Sequence, residues 1–363
     1  MNLERDTLIW LNSLGIYSDV IDKLRSYLGD ISEIHDFNHS DLENLGLLGS
    51  GILKRIAKSD FKSSIEEYKE KLDGLGIDVV TVCDNTYPEE LSEIPDRPLV
   101  LYIKGKLQPR DHIAMGIVGS RKATNYGKWA AERFARDLTN MGVTIVSGMA
   151  AGIDSIAHRT ALENGGRTIG ILGNGLDNVY PKSNFRLYKD AADNGALISE
   201  FPPGAQPYNF HFPMRNRIIS GLSLGIIVVE AQQKSGSLIT AHHALAQGKD
   251  VFALPGNINS IYSQGTNLLI KDGAKPLLDM DDILEEVREL QLIKKTKDED
   301  RLNEIDLSET EMRVLEFLKE GPAHSDIIVL KSGLDIQTVI STLTILELKG
   351  IIKEMSSRIF TIV

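Results

Sequence analysis

Residues 113–121 read Ile-Ala-Met-Gly-Ile-Val-Gly-Ser-Arg, and the polar stretch Lys122–Lys128 follows. The apolar run has strand character, Gly119 and Ser120 break it, and helical spacing resumes beyond. A strand–turn–helix of this kind leaves the first helical N–H groups unpaired, and these can hold a phosphate. Arg121 stands at the mouth of the turn and adds a fixed positive charge. Three further stretches bearing glycine or arginine fall at the same kind of place downstream. Together they read as one anion-binding edge.

Working outward, strands and helices alternate: VTIVSG, a helix over 153–164, RTIGILG, a helix over 184–194, then GALISE. The series continues with a helix over 215–223, LGIIVVE, a helix over 237–247, DVFALP and a last helical piece before 274–278. Upstream, IDVVTV and PLVLYIKG are strand-like, joined by a turn rich in Asp, Asn and Pro. Strands so rich in Val, Ile and Leu are buried on both faces, which predicts an α/β fold with a doubly wound, mostly parallel sheet. Ligands of such sheets sit at the carboxyl ends of the strands, where the glycine-rich turns fall.

The ends differ from the middle. Residues 1–72 read as short helices, and Gly46-Leu-Leu-Gly49-Ser-Gly51 between two of them resembles a helix–hairpin–helix; the simpler reading is a helical docking domain. Residues 73–290 form the α/β domain, and 291–306 are charge-mixed without Gly or Pro, a solvated linker or helix tail. Residues 307–363 hold three helical patterns and a hairpin, a winged helix. Its third helix, DIQTVISTLTILELKG, is apolar with a single lysine before its end, which suits a protein contact better than a DNA reader.

The net charge of −11 divides as −7 over residues 1–110, +3 over 111–280 and −7 over 281–363. The middle is the positive part of an acidic protein, and a local basic groove matters more for binding than the total. No apolar run approaches the roughly 18–20 residues of a membrane span. Residues 1–10 lack the basic start and apolar core of a signal peptide. The lone Cys83 lies in a strand-like run, reads as a packed small hydrophobe and fits a reducing cytoplasm.

Three ligand classes bind at edges of this kind, and each needs different residues there. A dinucleotide needs G-x-G-x-x-G, whereas the turn is Gly116-x-x-Gly119-Ser120-Arg121, and no acid ends the next strand. For metal or hydrolytic chemistry, the eight histidines show no ligand spacing. Asp154 and His158, four apart, form either an acid–base pair or an internal bond fixing the helix start. Glu230 is either a catalytic carboxylate or an acceptor for the loop that follows it. For a polyanion, Arg121, Lys122, Lys182, Arg215, Arg217 and Lys234 lie beside four strand-end loops, and Ser235-Gly236-Ser237 opens a helix suited to phosphate. Tyr208, Phe210 and Phe212 surround the arginine pair, either as stacking faces for bases or as core closing the sheet edge. Cations spread over four loops suit an extended single strand of DNA or RNA. No metal or cofactor is expected.

The chain resembles the DNA-processing protein A (DprA, also Smf) family of bacteria. The resemblance is carried in order by TYPEELSEIPDRPLVLYIKG, VGSR, SGMAAGIDSIAH, ILGNGLDNVYPKSN, ISEFPPG, FPMRNRIISGLS, VVEAQQKSGSLITAHHALAQGKDVFALPG and QGTNLLIKDGA. It implies an extended Rossmann-like core that binds single-stranded DNA without sequence preference. It also implies a cytoplasmic homodimer, no enzymatic activity, and loading of the RecA recombinase onto incoming DNA during natural transformation. By motif position it assigns DNA contact to Gly119, Ser120, Arg121, Lys182, Asn184, Arg215, Asn216, Arg217, Lys234, Ser235, Gly236 and Ser237. The rival is enzymatic: the core is also similar to nucleoside-monophosphate phosphoribohydrolases, whose P-G-G-x-G-T-x-x-E motif carries a catalytic glutamate. Here the matching run is Gly236-Ser237-Leu238-Ile239-Thr240, with threonine in the glutamate's place.

Overall fold

The computed structural model describes residues 2–304, 307–319 and 321–362. They fall into two compact units, Met1–Gln291 and Leu292–Val363.

The first unit opens with five helices: α1 (Leu3–Ser13), α2 (Ser18–Leu28), α3 (His39–Asn44), α4 (Ser50–Lys58) and α5 (Phe61–Leu75). Side-chain caps start α1, α3 and α5, and Gly76 ends α5 in the left-handed conformation at φ 62°. Leu8, Leu11, Ile21 and Leu24 share one hydrophobic cluster with Val100, Tyr102 and Leu197. The helices are therefore built onto the sheet rather than standing beside it.

The sheet has nine strands: β1 (Asp78–Thr81), β2 (Val100–Gly105), β3 (Ala114–Val118), β4 (Thr144–Ser147), β5 (Thr168–Leu172), β6 (Gly195–Ser199), β7 (Gly225–Val228), β8 (Asp250–Ala253) and β9 (Lys275–Pro276). Their spatial order is β1-β2-β6-β5-β4-β3-β7-β8-β9. The edge pairs β1–β2 and β2–β6 are antiparallel, and all other pairs are parallel. Between the strands run α6 (Glu89–Ser92), α7 (Asn125–Asn140), α8 (Ile153–Glu163), α9 (Phe185–Asp193), α10 (His211–Gly221), α11 (Gly236–Ala246) and α12 (Gln264–Lys271), and α13 (Met280–Glu286) follows β9.

Consecutive strand residues point to opposite faces. Ile171 and Ile198 pack with Ile218, Ile219 and Leu238 of α10 and α11, whereas Leu172 and Leu197 pack with Leu187 and Ala191 of α9. Both faces are covered, which is why these strands are apolar throughout. The chain moves outward from β3 through β4, β5 and β6, then returns to lay β7 on the other side of β3. Above the carboxyl ends at that reversal lies the crevice where such sheets hold ligands.

The expected linker is mostly helix, α14 (Arg288–Glu304), because its Leu, Lys and Glu are good helix formers with no breaker among them. Residues 305 and 306 lie outside the described residues. The second unit then builds α15 (Glu309–Lys319), β10 (Ala323–His324), α16 (Ser325–Ser332), α17 (Ile336–Leu348), β11 (Ile352–Ser356) and β12 (Ile359–Ile362). Its strands pair in the order β10-β12-β11, one more than the hairpin expected. Ser308 and Glu311 close a reciprocal cap on α15: Ser308 N donates to Glu311 Oε2 at 2.7 Å, and Glu311 N donates to Ser308 Oγ at 3.3 Å. Val314, Leu318, Val339, Leu343 and Ile352 form the core. Among the described residues, no single helix is long and apolar enough to cross a membrane.

Candidate nucleic-acid interface

The crevice holds a cleft of about 310 Å³. Gly119 and Arg121 line it from the turn after β3, and Ala150 and Asp154 from the connection after β4. Phe212, Arg215 and Asn216 come from α10, and Ser235, Gly236 and Ser237 from the start of α11. Seven of the sequence-assigned residues thus meet in one place.

Of the helices that begin around the cleft, α7 and α8 each have a carboxylate bonded at or just before their start. At α7, Glu230 Oε2 accepts from Thr124 N at 3.0 Å and Oε1 from Thr124 Oγ1 at 2.5 Å. Thr124 Oγ1 in turn caps Gly127 N at 3.2 Å. The Glu230 contact departs from the expected free helix start, since this buried carboxylate takes the N–H and hydroxyl of the cap residue. It also answers the question about Glu230, which holds the loop before α7 rather than the one following its own strand. At the connection into α8, Asp154 Oδ2 accepts from Gly148 N at 3.1 Å. The start of α11 is different. Ser235 Oγ accepts from Ser237 N at 3.4 Å and lies 2.8 Å from Ser237 Oγ, while Gly236 is exposed and has open space over its Cα. This helix start faces the cleft with amides and hydroxyls available to an anion.

Arg215 forms the floor. It is buried at 4% exposure, and its Nη1 donates to Gly148 O at 2.6 Å and to Ile171 O. Its Nε donates to Asn216 Oδ1 at 3.2 Å, and Asn216 Nδ2 donates onward to Gly236 O at 3.1 Å. Burial lowers the Arg215 pKa to about 10, with the Asp154 carboxylate working against the shift, so the group stays charged at neutral pH. Gly148 has to be glycine, since a Cβ there would lie 2.7 Å from both Arg215 Nη2 and Asp154 Oδ2. Arg121 is exposed, and its guanidinium lies 5.6 Å from the Phe212 ring centre, with Arg215 6.0 Å from the same ring. Tyr208 and Phe210 stack at 5.6 Å and 4° and are 54% and 61% exposed, so these two rings are open faces rather than core. Phe212 is half-buried beneath Arg121.

Asp154 and His158 do not act as a pair. His158 is fully buried, with Nδ1 2.6 Å from Thr168 Oγ1, whose hydroxyl donates to Ile145 O at 2.7 Å. Nδ1 therefore carries the proton, and Nε2 accepts from Met149 N at 3.3 Å. Burial first, and then the Arg215 charge, lower its pKa to about 3. The bond steadies Met149, which sits in left-handed backbone at φ 54°.

The remaining assigned residues lie outside the lining of this cleft. Ser120 is buried and accepts from Lys122 N at 3.1 Å. Lys182 and Lys234 are exposed on their loops. Asn184 is buried and spends its Nδ2 on Met149 O and Ser155 Oγ, both at 2.9 Å, so it supports the loop before α8 instead of offering its amide to a ligand. Arg217 departs furthest from the expected rim of free cations. It is buried, with Nη2 2.8 Å from Glu200 Oε1 and Nε donating to Asp96 O at 2.7 Å. A lining residue that sequence reading missed is Asn209, one polar residue in an irregular loop with no pattern to mark it. Thr240, in the place of the phosphoribohydrolase glutamate, also lines the cleft.

The family model for DNA recombination-mediator protein A matches residues 78–288, and that for the DprA winged helix domain matches residues 299–356. The chain is 41% identical over 243 residues to the DNA processing protein DprA of Bacillus subtilis, covering 65% of this chain and 82% of that one. The crystal structure of DNA processing protein A from Streptococcus pneumoniae is similar at a TM-score of 0.68 and 37% identity, over 78% of this chain and 98% of the other. A structure of DNA processing protein A from Helicobacter pylori, described for its single-stranded DNA binding mode, matches at a TM-score of 0.53 and 30% identity. It covers 59% of this chain and 96% of that one. With its α/β core and winged helix both matched in chain order, this chain belongs to the DNA recombination-mediator protein A, or DprA/Smf, family.

Proposed function

We infer that the cleft and its rim bind single-stranded DNA without reading its sequence. The observation that carries this is the meeting of the open α11 start with Arg121 and Arg215 around Phe212, beside the exposed Tyr208–Phe210 stack. Phosphates meet amides and guanidinium groups, and bases meet rings, with no array of base-edge readers. The binding mode described for the Helicobacter pylori relative supports the same substrate class. Lys182 and Lys234, exposed after β5 and β7 on the same edge of the sheet, extend the path for the strand.

On this reading the chain works as a homodimer that protects incoming strands and passes them to the RecA recombinase in transformation or recombination. Membership of a recombination-mediator family supports that hand-over. Binding rather than glycosidic cleavage is favoured by Thr240 and by Asp154, a lining carboxylate committed to Gly148 N and the Arg215 charge. Such cleavage needs a free carboxylate beside the developing positive charge.

The test is an oligonucleotide gel shift at several salt concentrations, run with single and double strands. Wild type should prefer the single strand, and Arg121→Ala should weaken all sequences alike. Log K against log salt should flatten by about 0.7 for the one phosphate released. An Arg121→Ala chain that binds like wild type at every salt, or base release from AMP or CMP that depends on Arg121, would refute the reading.

A further inference from the structure

Strand β6 runs into Glu200, which is fully buried. Its Oε1 accepts from Arg217 Nη2 at 2.8 Å and from Ser18 Oγ at 2.9 Å, and its carbonyl accepts from Asn12 Nδ2 at 3.2 Å. Asn12 and Ser18 belong to α1 and α2, whereas Arg217 belongs to α10. Ser18 Oγ also accepts from Leu99 N at 3.0 Å, so its place is fixed from two sides. One carboxylate therefore ties the N-terminal helices to the helix that supplies Phe212, Arg215 and Asn216 to the cleft. Tyr17 adds a second tie, edge-on to Phe201 at 5.3 Å and to His211, the first residue of α10, at 6.1 Å.

Two residues along a helix turn the side chain by roughly 200°. Arg215 thus faces the cleft floor while Arg217 faces Glu200. Besides that ion pair, Arg217 donates to Asp96 O and Met214 O, both at 2.7 Å, and it is not among the residues lining the cleft. Two acceptors outside α10, Glu200 Oε1 and Asp96 O, hold its planar guanidinium, which sets the rotation of α10 about its axis. A buried pair of this kind is costly to break because the partner is left as an uncompensated charge.

We propose that Glu200 and Arg217 are positioning residues: through them the N-terminal helices set the angle of α10 beneath the DNA strand, and Arg217 itself holds no phosphate. This rests on the single-strand reading above. The N-terminal helices then act on binding without touching DNA.

The experiment measures single-strand retention against salt for Glu200→Gln, Arg217→Gln, their double variant and Ser18→Ala, with thermal unfolding of each. Glu200→Gln and Arg217→Gln should each weaken binding roughly ten-fold, the scale of one lost hydrogen bond to a charged group, with the wild-type salt slope kept. The double variant should bind no worse than either single, since two amides can bond each other. Ser18→Ala, a change far milder for folding, should weaken binding in the same direction with its slope unchanged. A slope lowered by about 0.7 in Arg217→Gln would make it a phosphate contact and overturn the proposal. Wild-type affinity in Glu200→Gln or in Ser18→Ala would overturn it as well. A wild-type chain that retains no single strand fails the underlying reading instead, and the two failures are told apart in the first lane.

Discussion

His158 has both ring nitrogens committed inside the protein and a pKa lowered to about 3, chiefly by burial. Unfolded, it takes a proton near pH 6.5; folded, it stays neutral far below that. Its contribution to stability is complete above pH 6.5 and is lost as pH falls from there toward 3, at about 1.4 kcal/mol per pH unit. His35, His211 and His243 are shifted the same way by partial burial, and Asp154, raised by burial, opposes them at the acid end. The melting temperature should therefore drop between pH 7 and pH 5. His158→Asn should start lower and show a flatter acid limb. An unchanged limb in thermal denaturation across this range would mean that His158 is not the group that titrates.

Among the helices around the cleft, α7 and α11 share one device and differ in what backs it. Thr124 caps Gly127 N on α7 and Ser235 caps Ser237 N on α11, but Thr124 is held in turn by the Glu230 carboxylate, whereas Ser235 Oγ lies against the Ser237 hydroxyl. Gly127 makes the first arrangement possible, because a Cβ there would lie 2.3 Å from Glu230 Oε2. Alanine inside a helix is worth up to about 1 kcal/mol over glycine. Here the clash meets a buried carboxylate fixed by two bonds to Thr124, and the clash wins. Gly127→Ala should lower stability in urea by roughly 1–3 kcal/mol, the usual cost of overpacking. A variant more stable than wild type would show that Glu230 is free to move and does not hold the cap.

The two compact units each carry their own core, and the surface of the second gives little sign of reading DNA. On α17 the exposed side chains include Ile336, Ile340, Ile345 and Leu348, apolar residues where a DNA-reading helix carries Arg, Lys or Asn. Ending the chain before residue 306 should leave single-strand affinity within a factor of about two, as expected for independent parts. A loss of ten-fold or more in the same gel shift would make the winged helix a DNA contact after all.

The amino-acid sequence by itself determined the strands, most helices and the loops that reach the cleft. Each of those is written in a short window: an apolar run, a glycine turn, a helical spacing. Gly119, Arg121, Arg215 and Ser235–Ser237 were legible for that reason, as residues beside strand ends. What only the tertiary structure decided is whom each polar side chain serves. Glu230 holds a helix cap, Thr124, that lies 106 residues earlier, and Arg217 turns away from the cleft to a glutamate whose other partner, Ser18, is 182 residues before it. Asn184, two residues from the exposed Lys182, is consumed by the loop before α8. A charge in a sequence has a sign but no partner; burial and pairing come from contacts that close only when distant segments pack together.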